Sequence, residues 1–143
     1  MAPFERPAFV LDASTTMAWA LPDEQSDYAD RVLLRLADEA ALVPLMWQFE
    51  VANTLLVNER RNRIQVAETS EFLLNLRQLA IVRDDAVPPT IESLTELGRR
   101  AQTSAYDALY LEVAVRRRLP LATMDKRLRA GAQQLGVTLF DPR

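Results

Sequence analysis

At 143 residues, the chain fits one domain of ordinary size. With 49% hydrophobic and 26% charged residues, it has the composition of a globular protein with a core rather than of a disordered tail. It contains no cysteine and no histidine, which excludes disulfides, a thiolate nucleophile, a Ser-His-Asp triad and the usual zinc sites, and leaves chemistry to carboxylates, hydroxyls and cationic side chains. The formal net charge of −3, from 20 acidic and 17 basic residues, argues against a protein that coats nucleic acid nonspecifically. No stretch approaches the roughly 20 apolar residues that span a bilayer, and "MAPFERPAF" lacks a basic start and an apolar signal core. The cytoplasm is the expected compartment.

Short β-leaning runs occur at Phe9-Val10-Leu11, Leu42-Val43, Ile81-Val82, Leu121-Ala122-Thr123 and Thr138-Leu139-Phe140. Segments of helical period lie between them. Asp27 to Ala40 sets Tyr28, Val32, Leu36 and Ala40 on one face, and Met46 to Arg60 carries Phe49, Ala52 and Leu56. Val66 to Leu79 supplies Phe72, Leu73, Leu76 and Leu79, and Ser104 to Arg117 supplies Leu109, Tyr110, Val113 and Ala114. Strand runs separated by helices predict right-handed crossovers and a mostly parallel sheet, in a three-layer α/β domain covering residues 1–143. Ligands of such sheets bind beyond the carboxyl ends of the strands, where strand order reverses.

Four acids stand at or near that edge. Asp12 directly follows the first run, and Asp125 comes two residues after the fourth; both positions also suit a helix-capping aspartate. Asp107 comes three residues after Ser104, as in a capping box, and equally places a carboxylate in a first helical turn near the strand ends. Glu50 lies in a largely apolar helix with Asn53 and Thr54 at i+3 and i+4 on its face; Glu59 and Arg60 bring the same helix to water at its far end. Carboxylates gathered together repel one another unless protons or cations intervene. Oxygen-only clusters select hard cations, so Mg²⁺ or Mn²⁺ is the expected cofactor. Cationic residues gather at Arg60, Arg61 and Arg63, at Arg99 and Arg100, at Arg116 to Arg118, and at Lys126, Arg127 and Arg129.

These residues resemble the PIN-domain ribonucleases, and within them the VapC-type toxins of bacterial toxin–antitoxin pairs. "FVLDASTTMAWALPDE" is similar to the family's first strand ending in its first acid, Asp12; "EVANTL" to its second motif, with Glu50 and Asn53; "YDALYLEVA" to its third, with Asp107; "LATMDKRL" to its fourth, with Asp125 and Thr123. The resemblance runs from about residue 8 to residue 140. It implies a five-stranded parallel sheet with the strands bearing Asp12 and Asp125 side by side. It also implies an acidic pocket for one or two metal ions, held by Asp12, Asp107 and Asp125, with Ser14 as a supporting hydroxyl. RNA substrate, a small antitoxin protein and a homodimer are the implied partners. Glu112 departs from the small or apolar residue more usual in that helix and is expected at the surface.

The expected chemistry is metal-assisted hydrolysis of RNA, leaving 5′-phosphate and 3′-hydroxyl ends. A metal-free acid–base ribonuclease normally relies on imidazole, which this chain lacks. A receiver-type phosphoacceptor domain is an alternative reading, carried by Asp84, Asp85 and Thr123, although no second acid accompanies Asp12 and no lysine follows the fifth run. A haloacid-dehalogenase-like phosphatase would need an aspartate where Ala13-Ser14 stands. A third alternative is a noncatalytic interaction domain whose acids only cap helices.

Overall fold

The computed structural model describes residues 6–143. Met1 to Glu5, part of the stretch read above against a signal sequence, lie outside the described residues. Strand β1 (Pro7–Leu11) leads into a short helix α1 (Ala13–Ala18); then follow α2 (Asp27–Arg35), β2 (Ala40–Val43), α3 (Leu45–Arg60) and α4 (Val66–Arg77). The chain continues through β3 (Ile81–Arg83), α5 (Ile91–Ala101), α6 (Ala105–Arg117), β4 (Leu121–Ala122) and α7 (Lys126–Leu135).

The four strands are parallel and ordered β3-β2-β1-β4. The chain therefore builds outward on one side of β1, then returns to pair β4 on the other, with Val10 opposite both Leu42 and Leu121. Strand alternation assigns the layers. Val10, Leu42 and Leu121 pack with Ala101, Tyr110, Leu111 and Leu128 beneath α5, α6 and α7. Phe9, Leu11, Ala41, Val43 and Ala122 face the opposite way, against Val32 and Leu36. A third cluster joins α1 to α3 through Met17, Leu21, Val51 and Leu55.

Two expectations need correction. Among the described residues the sheet has four strands, not five: the run Thr138–Phe140 makes only a single bridge, Leu139 to Leu121. Strand β4 is two residues long and offers little edge, and Pro142 has no N–H with which to prolong a ladder. The helix expected from Asp27 to Ala40 ends at Arg35, because Ala40 opens β2 opposite Pro7. Ala40 satisfies the helical period and is equally at home in a buried strand, and the sheet claims it.

Candidate active site

Asp12 is 3% exposed and sits just beyond β1. Its Oδ1 accepts from the Thr15 N–H (2.9 Å), capping α1, while Oδ2 accepts from the Ser14 hydroxyl (2.7 Å) and from the Thr123 hydroxyl. Its own N–H donates to the Ala122 carbonyl (3.2 Å), so strand pairing fixes the backbone that carries it. The capping role of Asp12 is therefore real, and it occupies one oxygen of two. Burial pushes its pKa up, opposed by the donors from Thr123, Thr15 and Ser14.

Across the switch point, the buried Thr123 joins two acids: its hydroxyl donates to Asp12 and accepts from the Asp125 N–H (3.0 Å). Asp125 in turn caps α7 by accepting from the Arg127 N–H (3.0 Å). Arg129 Nε donates to the Thr123 carbonyl (2.9 Å), and its guanidinium lies over the Tyr28 ring. Ser14 Oγ also accepts from the Met124 N–H (3.2 Å), tying α1 to the turn after β4.

The other two acids come from helices. Ser104 caps α6 by accepting from the Asp107 N–H (3.1 Å), which leaves the Asp107 carboxylate in the first turn. Glu50 projects from α3 and accepts a hydrogen bond at Oε1 from the Tyr110 hydroxyl (2.9 Å). Glu50, Asn53, Ser104 and Asp107 line one open cleft of about 380 Å³, together with Met46 and the exposed rings of Phe49 and Tyr106. A larger apolar depression of about 790 Å³ lies between α2 and α4 and is lined by no acid.

The electrostatics unite the two halves. Burial raises the pKa of Glu50, and Asp107, Asp12 and Asp125 raise it further by repulsion, against the Tyr110 donor. Asp107 is likewise raised, by burial first and then by Asp125 and Asp12, with Arg127 opposing. Glu50 thus lies in the field of the other three acids, and Asp107 in that of Asp12 and Asp125. Among the described residues none of them forms an ion pair.

This is a negative cluster without an ion-pair partner among the described residues, which is the electrostatic condition for holding a cation. Among the described residues, no three acids converge into a ready-made cage. The oxygen-only donor set suits a hard divalent ion that keeps several of its waters. On that chemistry, the residues fit such an ion.

Other expectations resolve differently. Asp84, the acid on which a receiver-type reading leaned, is covered by Arg116 and Arg117 in ion pairs. Glu112, expected at the surface, is half-buried and binds Arg116 (2.8 Å). No local motif marks Tyr110 or Arg129 as chemical. Tyr110 read as core because its helical period matches Val113 and Ala114, and Arg129 read as one of several basic clusters.

A family model for the PIN domain matches residues 9–133. The chain is 34% identical to VapC ribonuclease Mb0985 of Mycobacterium bovis and to Ribonuclease VapC9 of Mycobacterium tuberculosis, covering 91% of this chain and 96% of each relative. Ribonuclease VapC3 of Pyrobaculum aerophilum is 28% identical, covering 83% of this chain and 90% of that one. The crystal structure of PAE2754 from Pyrobaculum aerophilum superposes with a TM-score of 0.66 at 22% identity, over 87% of this chain and 84% of that one.

The protein therefore has a PIN-domain fold, with Asp12 and Asp125 joined through Thr123 at its topological switch point and Glu50 and Asp107 lining one cleft. The chain belongs to the PIN-domain family and, within it, to the VapC-type ribonucleases. Members of that family generally depend on divalent metal.

Proposed function

We propose that this VapC-type protein is an endoribonuclease toxin whose single domain hydrolyses RNA at the cleft bounded by Asp12, Glu50, Asp107 and Asp125. The observation that carries this reading is that Glu50 and Asp107 lie in the field of Asp12 and Asp125, with no ion-pair partner for any of the four among the described residues. Asp12, Asp107 and Asp125 would hold Mg²⁺ or Mn²⁺. When bound, such an ion acidifies water and offsets phosphate charge.

The side chains divide the remaining work. Ser14 and Thr123 hold Asp12 in one orientation, which spares the site reorganisation during reaction. Burial and the neighbouring acids raise the Glu50 pKa, and its carboxylate orients the attacking water and takes its proton. Asn53, one turn along α3, presents an amide to the same cleft. Phe49 and Tyr106 offer exposed π faces to unpaired bases, which favours single-stranded RNA. Water as the nucleophile leaves a 5′-phosphate and a 3′-hydroxyl.

The chain would act in the cytoplasm as a homodimer, under control of a cognate antitoxin. The depression between α2 and α4, with Leu34 and Leu74 exposed on its helices, offers that antitoxin an apolar seat. Among the described residues, no helix is long and apolar enough to cross a membrane.

The test is incubation of total RNA with the antitoxin-free protein in Mg²⁺ or Mn²⁺ and in chelator, beside a folded Asp107→Asn variant. Discrete metal-dependent fragments ending in 5′-phosphate, and lost in the variant, support the reading. Fragments ending in 2′,3′-cyclic phosphate would overturn its chemistry.

A further inference from the structure

Tyr110 is 1% exposed, yet its hydroxyl sits where three acid-bearing elements meet. The ring belongs to α6, one turn beyond Asp107; the hydroxyl donates to Glu50 of α3 at 2.9 Å, and the backbone of Ala13, next to Asp12, is close enough to act on the same phenol. A buried tyrosine hydroxyl needs a partner, and phenylalanine would fill the same space without one. Burial and the neighbouring Glu50 push the phenol's pKa up, so the hydroxyl keeps its proton and serves as a permanent donor. Glu50 is the only side chain to which it donates among the described residues. One oxygen of the carboxylate is thus committed to a rigid, buried strut while the side chain as a whole lines the open cleft.

We propose that Tyr110 is a positioning residue for Glu50, fixing the carboxylate that orients the attacking water. This rests on the reading of Glu50 given above. The strut counters the repulsion from Asp107, Asp12 and Asp125, which would otherwise swing a flexible glutamate out toward solvent. Because Glu50 is placed outside the ion-holding set, loss of the strut should affect turnover and leave ion binding nearly intact.

The experiment is a double-mutant cycle of Tyr110→Phe and Glu50→Gln, reading kcat, KM, thermal unfolding, and Mn²⁺ binding followed by electron paramagnetic resonance. Y110F should lose about 10- to 100-fold in kcat, as partners that orient site residues do, with KM within about threefold and Mn²⁺ affinity likewise. In the E50Q background the same substitution should cost almost nothing further, since Tyr110 acts through Glu50. Equal losses in both backgrounds, or Mn²⁺ binding falling in step with kcat, would overturn the proposal as general damage to the fold.

If Y110F does not fold, Glu50→Asp decides the matter. It keeps the charge but falls a methylene short of the phenol, so kcat should drop as far as in E50Q. Wild-type turnover in E50D would overturn the proposal. Wild-type protein without metal-dependent cleavage refutes the underlying reading and the inference with it. Wild-type cleavage that E50Q abolishes and Y110F leaves intact refutes the inference alone.

Discussion

The Thr123 hydroxyl donates to Asp12 across the junction of β4 and β1, joining residues 111 apart in the chain. The same oxygen accepts from the Asp125 N–H, so one threonine sets the spacing of two acids at the switch point. Thr123→Val keeps the shape and removes both bonds, leaving a buried carboxylate one donor short. Stability should fall by about 1–3 kcal/mol, and cleavage by about 10- to 100-fold. The Asp12 pKa, already raised by burial, should climb further because a donor to its charged form is gone. Thr123→Ser, which restores the hydroxyl, should recover most of the rate in the same cleavage assay. Equal losses in both variants would mean that the methyl group, not the hydrogen bond, matters.

Asp107→Asn should separate activity from stability. The carboxylate sits in the field of Asp125 and Asp12 and is partly desolvated, so the ionised form strains the metal-free fold. Neutralising it should raise the melting temperature measured in chelator by a few degrees, at roughly 3 °C per kcal/mol for a chain of this size. Cleavage should fall by about 10²- to 10⁴-fold. A variant less stable than wild type in chelator would contradict the electrostatic account of the site.

The same logic fixes the sign of the pH dependence. Asp12, Glu50 and Asp107 all bind protons more tightly in the folded protein than at their ordinary values of 3.8 and 4.5. Their contribution therefore destabilises the metal-free fold above the raised values and vanishes below the ordinary ones, so stability rises as pH falls through that window. Adding Mg²⁺ or Mn²⁺ at neutral pH should reverse the strain, by about 2.7 kcal/mol at a hundredfold excess over the dissociation constant. The gain should shrink toward pH 4.5 as protons compete for the same oxygens. Thermal melts at both pH values, with metal and with chelator, measure all four corners.

Much of this site was legible because its acids follow sequence punctuation. Asp12 ends an apolar run, Asp125 follows another, and Asp107 comes three residues after a capping serine, so local rules alone put three of them near strand ends. The sheet's inner strands were legible for a similar reason, their short β-branched and leucine-rich runs being buried on both faces. What failed was local ambiguity settled by tertiary pairing: Ala40 extends a helical period, yet it pairs with Pro7. The fifth run has strand composition, yet it meets a partner strand two residues long. The Tyr110 hydroxyl was invisible because its acceptor is 60 residues away, and periodicity reports which face a ring occupies rather than what its oxygen touches.

Gly131 offers a last test, of the packing that carries Asp125. It lies inside α7, where helix propensity alone would favour alanine by about 1 kcal/mol. A methyl group there would meet Thr103 Cγ2 at 2.6 Å, Leu111 Cδ1 at 3.2 Å and the Ala101 carbonyl at 3.3 Å. The β-branched threonine has little rotamer freedom with which to yield, and the carbonyl belongs to the backbone at the end of α5. Overpacking should win, costing about 1–3 kcal/mol net, and it should lift α7 away from α5 and α6. Gly98→Ala is the control: in α5 its added methyl would meet only the Thr103 carbonyl, at 3.3 Å, so the propensity gain should offset most of the clash. Thermal unfolding should therefore rank wild type and G98A close together and G131A well below. Because α7 begins at the Asp125 cap, G131A should also lose part of its cleavage rate, whereas a G131A protein as stable as wild type would mean that the α5–α7 contact is looser than these distances require.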